Sequence, residues 1–133
     1  MATWKYKCYG GGPPNAWEVW FSARSVRDRA KHDAVFDFLE QRLASQWTPP
    51  HAKKLRGEKP DLWEVIITTD VAWRIFGWFS ADNEFTIAGI GNHKDEIYSP
   101  RDIIKTSRRR RLEIETGKLG TVDCARPKTT FDF

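Results

Sequence analysis

The sequence predicts an α+β fold, a central antiparallel sheet of about four strands with helices packed on one face. Three observations predict it. Leu62 to Thr69, Val71 to Phe79 and Phe85 to Ile90 are short segments rich in β-branched and aromatic residues, divided by turns at Asp70 and at Ala81-Asp82-Asn83-Glu84, the pattern of an antiparallel meander. Ser25 with Asp28 reads as a helix-capping start, and Val35, Phe38, Leu39 and Leu43 follow at helical spacing to about Ser45. Ser99-Pro100 then opens a basic helix, a hydroxyl cap ahead of proline at the first helical position with Asp102 in the first turn.

The remaining elements follow in chain order. Residues 1–15 read as a flexible lead-in, because Gly10-Gly11-Gly12-Pro13-Pro14 neither continues a helix nor donates to an inner ladder. The glycines lack the Gly-Lys-Ser/Thr ending of a phosphate loop. Ala16 to Phe21 alternates, with Trp17, Val19 and Phe21 on one face, which predicts the fourth strand. Thr48-Pro49-Pro50 stops the first helix, and His51 to Asp61 is a basic connector expected to be a solvated loop with one short helical turn. Gly117 closes the second helix. Residues 16–116 therefore form the predicted domain, and 117–133 an extension open to reading as a strand, a packed segment or disorder.

The chain has 133 residues, 40% of them apolar and 30% charged, with a net charge of +4, values of a globular domain that permit a polyanionic partner. Two basic clusters bracket the meander: Lys53, Lys54, Arg56 and Lys59 before it, Arg101, Lys105 and Arg108 to Arg111 after it. The two cysteines, Cys8 and Cys124, show no zinc spacing. With no signal-like segment and no membrane-length apolar run, they suggest a cytoplasmic protein with reduced thiols. No nucleophile elbow, HExxH, dinucleotide fingerprint or EF-hand is present.

Arg74 stands out as a charge inside an apolar strand. Period-two counting places it with Ala72, Phe76 and Trp78, opposite Val71, Trp73, Ile75 and Phe79. If the first helix covers the Trp73/Ile75 face, Arg74 points to the open one. Two readings stand there: a structural ion pair, for example with Glu64 on the neighbouring strand, or a cation offered to phosphate. His93 and Lys94, expected in a turn after the last strand, converge on the same face, and exposed Trp78, Trp20 or Phe76 beside them would suit stacking on unpaired bases.

Leu55-Arg56-Gly57, Leu62-Trp63-Glu64, Trp73-Arg74-Ile75, Lys94 and Ser99-Pro100 before a basic helix, in this order, resemble the RelE/ParE toxin superfamily, and within it the phage-derived HigB-like branch of type II toxin-antitoxin systems. The resemblance implies a RelE-like α+β fold and a ribosome-dependent mRNA endoribonuclease. It would work by attack of the ribose 2′-hydroxyl on the adjacent phosphate, with no metal or cofactor. The implied partners are the ribosome and mRNA and a cognate helix-turn-helix antitoxin, with no membrane. Carried onto this chain, Arg74, His93 and Lys94 are the catalytic candidates, and Lys53, Lys54, Arg56, Arg108 and Arg109 the RNA- and phosphate-binding ones. Asn92 stands at the family's usual Phe and Asp95 at its second Lys, and no C-terminal tyrosine supplies a family-type phenol. The alternative is a non-catalytic protein of the same fold that blocks a target such as DNA gyrase or another host protein.

Overall fold

In the computed structural model, which describes residues 3–10, 15–57 and 60–126, the chain enters as strand β1 (Lys5–Tyr9) and continues through helices α1 (Ala16–Ser22) and α2 (Val26–Glu40). It then forms β2 (Ala52–Lys54), β3 (Trp63–Thr68), β4 (Ala72–Ala81), β5 (Glu84–Lys94), β6 (Ile97–Ser99), helix α3 (Ile103–Glu115) and β7 (Thr121–Asp123). The α+β class is as expected, but the sheet is mixed and seven-stranded, in the order β2-β3-β4-β5-β1-β7. β1 runs parallel to β5, pairing with Glu84 to Ile87, while β6 takes the far end of the same edge at Asn92 to Lys94.

Several expected elements are replaced. Ala16 to Phe21 is helical, not a strand: Asn15 caps it by accepting from the Glu18 amide, and Trp17 and Phe21, four residues apart, are the buried pair. Val19, which completed the apparent alternation, is 60% exposed. An i, i+4 aromatic pair and a period-two run coincide over so few residues, and the polar cap decides between them. Lys5–Tyr9, expected in the lead-in, is an inner strand flanked by β5 and β7; Gly11 to Pro14 lie outside the described residues.

The core lies between the sheet and the α1/α2 layer, where Trp17, Phe21, Phe36, Leu39 and Trp47 pack on Val65, Ile67, Ile75, Phe85 and Ile87. Ser25 caps α2 as expected, accepting from the Asp28 amide at 3.1 Å. The buried stripe of α2 is His32, Phe36 and Leu39, not Phe38 and Leu43, which are 37% and 57% exposed. Tyr6 and Trp47 donate to the carbonyls of Phe36 and Leu39, so apolar bodies fill the core while their polar ends meet α2.

The second face is covered as well, which corrects the expectation of helices on one side only. Helix α3 lies on β5, with Leu62, Phe76 and Ile103 forming a second buried cluster beneath it. Gly89 and Gly91 permit this approach: a Cβ on Gly89 would collide with Ser107 Oγ, and one on Gly91 would lie 3.3 Å from Ile103 Cγ1. The helix begins at Ile103 with Asp102 at the cap position, because Ser99 is already used in β6. Gly117, at φ 79°, takes the left-handed position just past its end.

Candidate functional site

Arg74 leaves β4 on the face that carries α3, with Ile66 opposite it on β3 and Gly91 opposite it on β5. Glu64 lies two residues along β3 from Ile66, hence diagonal to Arg74, and its Oε1 is 3.0 Å from Arg74 Nε. Arg74 Nη1 donates to the Trp73 carbonyl at 3.1 Å. These contacts fix the plane of the guanidinium on a side chain that is 16% exposed. Of the two readings of Arg74, the ion pair with Glu64 is the one seen.

Glu64 gathers more than Arg74. The Tyr98 hydroxyl donates to Glu64 Oε1 at 3.0 Å, and Lys53 Nζ, directly across the β2–β3 ladder, stands 3.5 Å from Oε2. A fully buried carboxylate is thus compensated by two cations and a phenol, the condition for keeping such a charge inside. Tyr98 also faces His93 across the β5–β6 hairpin, with ring centroids 4.7 Å apart. Asp95 and Glu96 close that hairpin at φ 52° and 65°, the paired positive angles of a tight two-residue loop. Burial first, then the charge of Glu64 and the hydrogen bond to it, push the Tyr98 phenol up to about 12. Tyr98 is therefore a neutral donor at physiological pH.

The nominated residues divide between this cluster and other surfaces. Arg74 and His93 share it through Glu64 and Tyr98. Lys94 does not: residues 92–94 belong to β5 rather than to a turn, so Lys94 leaves on the face opposite to His93. Lys53 joins the cluster. Lys54, next along β2, pairs instead with Asp61 at 3.1 Å, and Arg56 is exposed in the turn that follows. Arg109 pairs with Glu113 at 3.4 Å and lines, with Arg108 and Leu112, a groove on α3. Arg110 and Arg111 fold back onto the sheet, lying over Tyr9 at 4.0 Å and Trp78 at 5.1 Å. Phe76 and Trp78 are buried, so neither is the exposed stacking surface expected beside Arg74.

Tyr98 is the member of the cluster that sequence reasoning missed. The available signal was an alternation running through Asn92-His93-Lys94 and resuming at Ile97-Tyr98-Ser99 around two residues. It was hidden because Asp-Glu lacks the glycine that usually marks such a loop. The described residues include no group of three or more His, Cys, Asp or Glu placed to hold a metal ion. Comparisons with protein-family models, with curated proteins and with solved structures found nothing that matches this chain.

Proposed function

We propose that this chain is a toxin of the RelE/ParE kind, a ribosome-dependent mRNA endoribonuclease partnered by a cognate antitoxin. The observation that supports this best is the chain of contacts on one sheet face in which Arg74 and Tyr98 meet on Glu64 and His93 packs against Tyr98. In this reading Arg74 meets the scissile phosphate and offsets the charge that develops as the 2′-oxygen attacks. His93 takes the 2′ proton and returns a proton to the leaving 5′-oxygen. Tyr98 is a poor acid, since ionising it would place a phenolate against Glu64. It holds Glu64 and packs against the imidazole instead, which makes it a positioning residue.

A cytoplasmic site of action belongs to this reading. The bond between Cys8 and Cys124 weighs against it, because such bonds are rare in reducing compartments.

The test is mRNA cleavage by the purified chain on translating ribosomes. Arg74→Lys keeps the charge but loses the fork geometry and is expected to cut about 10²-fold more slowly. His93→Gln is expected to lose about 10²- to 10⁴-fold with its melting temperature unchanged, which separates its effect from any loss of stability in Arg74→Lys. Uncut mRNA with the unmodified chain, alongside growth arrest and topological DNA damage in cells, refutes the nuclease and supports a non-catalytic protein acting on a target such as gyrase.

A further inference from the structure

Two grooves meet at Pro60, away from the Glu64 cluster. One, of about 380 Å³, is walled by Trp63, Phe79, Asp61 and Arg111. The other, of about 330 Å³, runs along α3 past Lys105, Arg108 and Arg109. Trp63 is half-buried and stands edge-on to Phe79, with centroids 5.3 Å apart. Arg111 is held over the buried Trp78 by its bonds to the Asp61 carbonyl and the Glu115 carboxylate, so its guanidinium forms a fixed wall. Lys54 balances the Asp61 carboxylate at 3.1 Å. Two of the five cations nominated from sequence as phosphate contacts, Arg108 and Arg109, line the α3 groove rather than the surroundings of Arg74.

An aromatic wall beside a fixed guanidinium, continuous with a row of cations, is the chemistry that accepts a flat base joined to phosphates. An apolar side chain of a peptide could use the aromatic wall but gains nothing from the row of cations. We propose that the paired grooves bind single-stranded RNA, one unpaired base lying against Trp63 and Phe79 and the neighbouring phosphates along Lys105, Arg108 and Arg109. This rests on the RNA reading of the Glu64 cluster, to which it adds a second contact on the substrate.

The experiment uses the full chain, without ribosomes, and a short single-stranded RNA carrying 2-aminopurine. Stacking is expected to quench the probe, and Trp63→Leu to weaken binding about tenfold. The double variant Arg108→Ala/Arg109→Ala is expected to weaken binding and to lower the slope of log affinity against log salt by about 1 to 1.5. That surface pair keeps the test decisive if Trp63→Leu lowers the melting temperature. No quenching, quenching indifferent to both variants, or displacement of the probe by polyglutamate with no dependence on Trp63 overturns the proposal, the last pointing to an acidic peptide. If the chain cleaves mRNA but neither variant changes oligonucleotide binding, the groove fails and the nuclease stands. If binding depends on both but mRNA stays intact, the nuclease fails and the groove stands.

Discussion

Glu64 has no exposed surface, and the groups it collects differ in how far they depend on it. Arg74 is 16% exposed and keeps only an edge in water, whereas Lys53 is half exposed at a longer 3.5 Å. Glu64→Gln preserves an acceptor for Tyr98 but strips Arg74 of its main counter-charge. It is expected to cost about 3 kcal/mol, the lower end for a broken buried pair. Lys53→Met is expected to cost less than about 1 kcal/mol, since water already screens that contact. Chemical denaturation of the two variants checks the ranking. His32 is buried against Trp20 at 4.9 Å, and neither of its ring nitrogens has a hydrogen-bond partner among the described residues. Burial lowers its pKa from 6.5 to about 4. Between these values the unfolded chain binds a proton that the folded chain refuses, so stability is complete above about pH 6.5 and falls as the pH drops toward 4, by up to about 3 kcal/mol. His32→Phe is expected to flatten that acid limb when melting temperature is followed against pH.

Among the elements, the β5–β6 hairpin and the seat of α3 are held by backbone constraints that can be tested locally. Asp95 and Glu96 both occupy left-handed backbone, a conformation that costs an L-residue about 1 kcal/mol. Glu96→Gly is therefore expected to stabilise the chain by a few tenths to about 1 kcal/mol, the glycine's own entropy taking back part of the gain. Gly89→Ala pushes a methyl into Ser107 Oγ and is expected to destabilise by about 1 to 3 kcal/mol, with partial recovery in Gly89→Ala/Ser107→Ala. The meander, the Ser25 cap and the parity that sets Arg74 apart from Ile75 were legible because each depends on residues close in sequence. The Glu64–Arg74 pair was legible for the same reason, as neighbouring strands of one meander carry it. Strand β1 was not, because its partners in β5 and β7 are remote in sequence and its short alternation, Lys5 and Lys7 against Tyr6 and Cys8, runs straight into the Gly/Pro stretch that reads as a lead-in. Helix α1 was misread because two periodicities fitted the same few side chains.

For the molecule as a whole, the least legible feature is the bond that ties its ends. Cys8 and Cys124 lie 116 residues apart in sequence, and only the adjacency of β1 and β7 brings their Cα atoms to 5.3 Å; this replaces the expected reduced thiols. The segment after β7 is held by further contacts: the Trp17 indole donates to the Ala125 carbonyl at 2.8 Å, and Arg126 bridges Asp33 and Asp37 of α2 at 3.2 and 3.0 Å. The C-terminal segment thus straps the helical layer to the sheet edge. A crosslink spanning so long a loop restricts the unfolded chain by about 4 to 5 kcal/mol in the entropic account. The non-covalent contacts act in the folded state and survive reduction. Cys8→Ser/Cys124→Ser is therefore expected to lose about 2 to 5 kcal/mol yet keep β7 and the Arg126 bridges. In hydrogen exchange, protection at Thr121 to Asp123 should fall only by the amount that global stability falls. Selective loss of protection in that segment, with the rest of the sheet unaffected, would show that the disulfide alone fastens the strap.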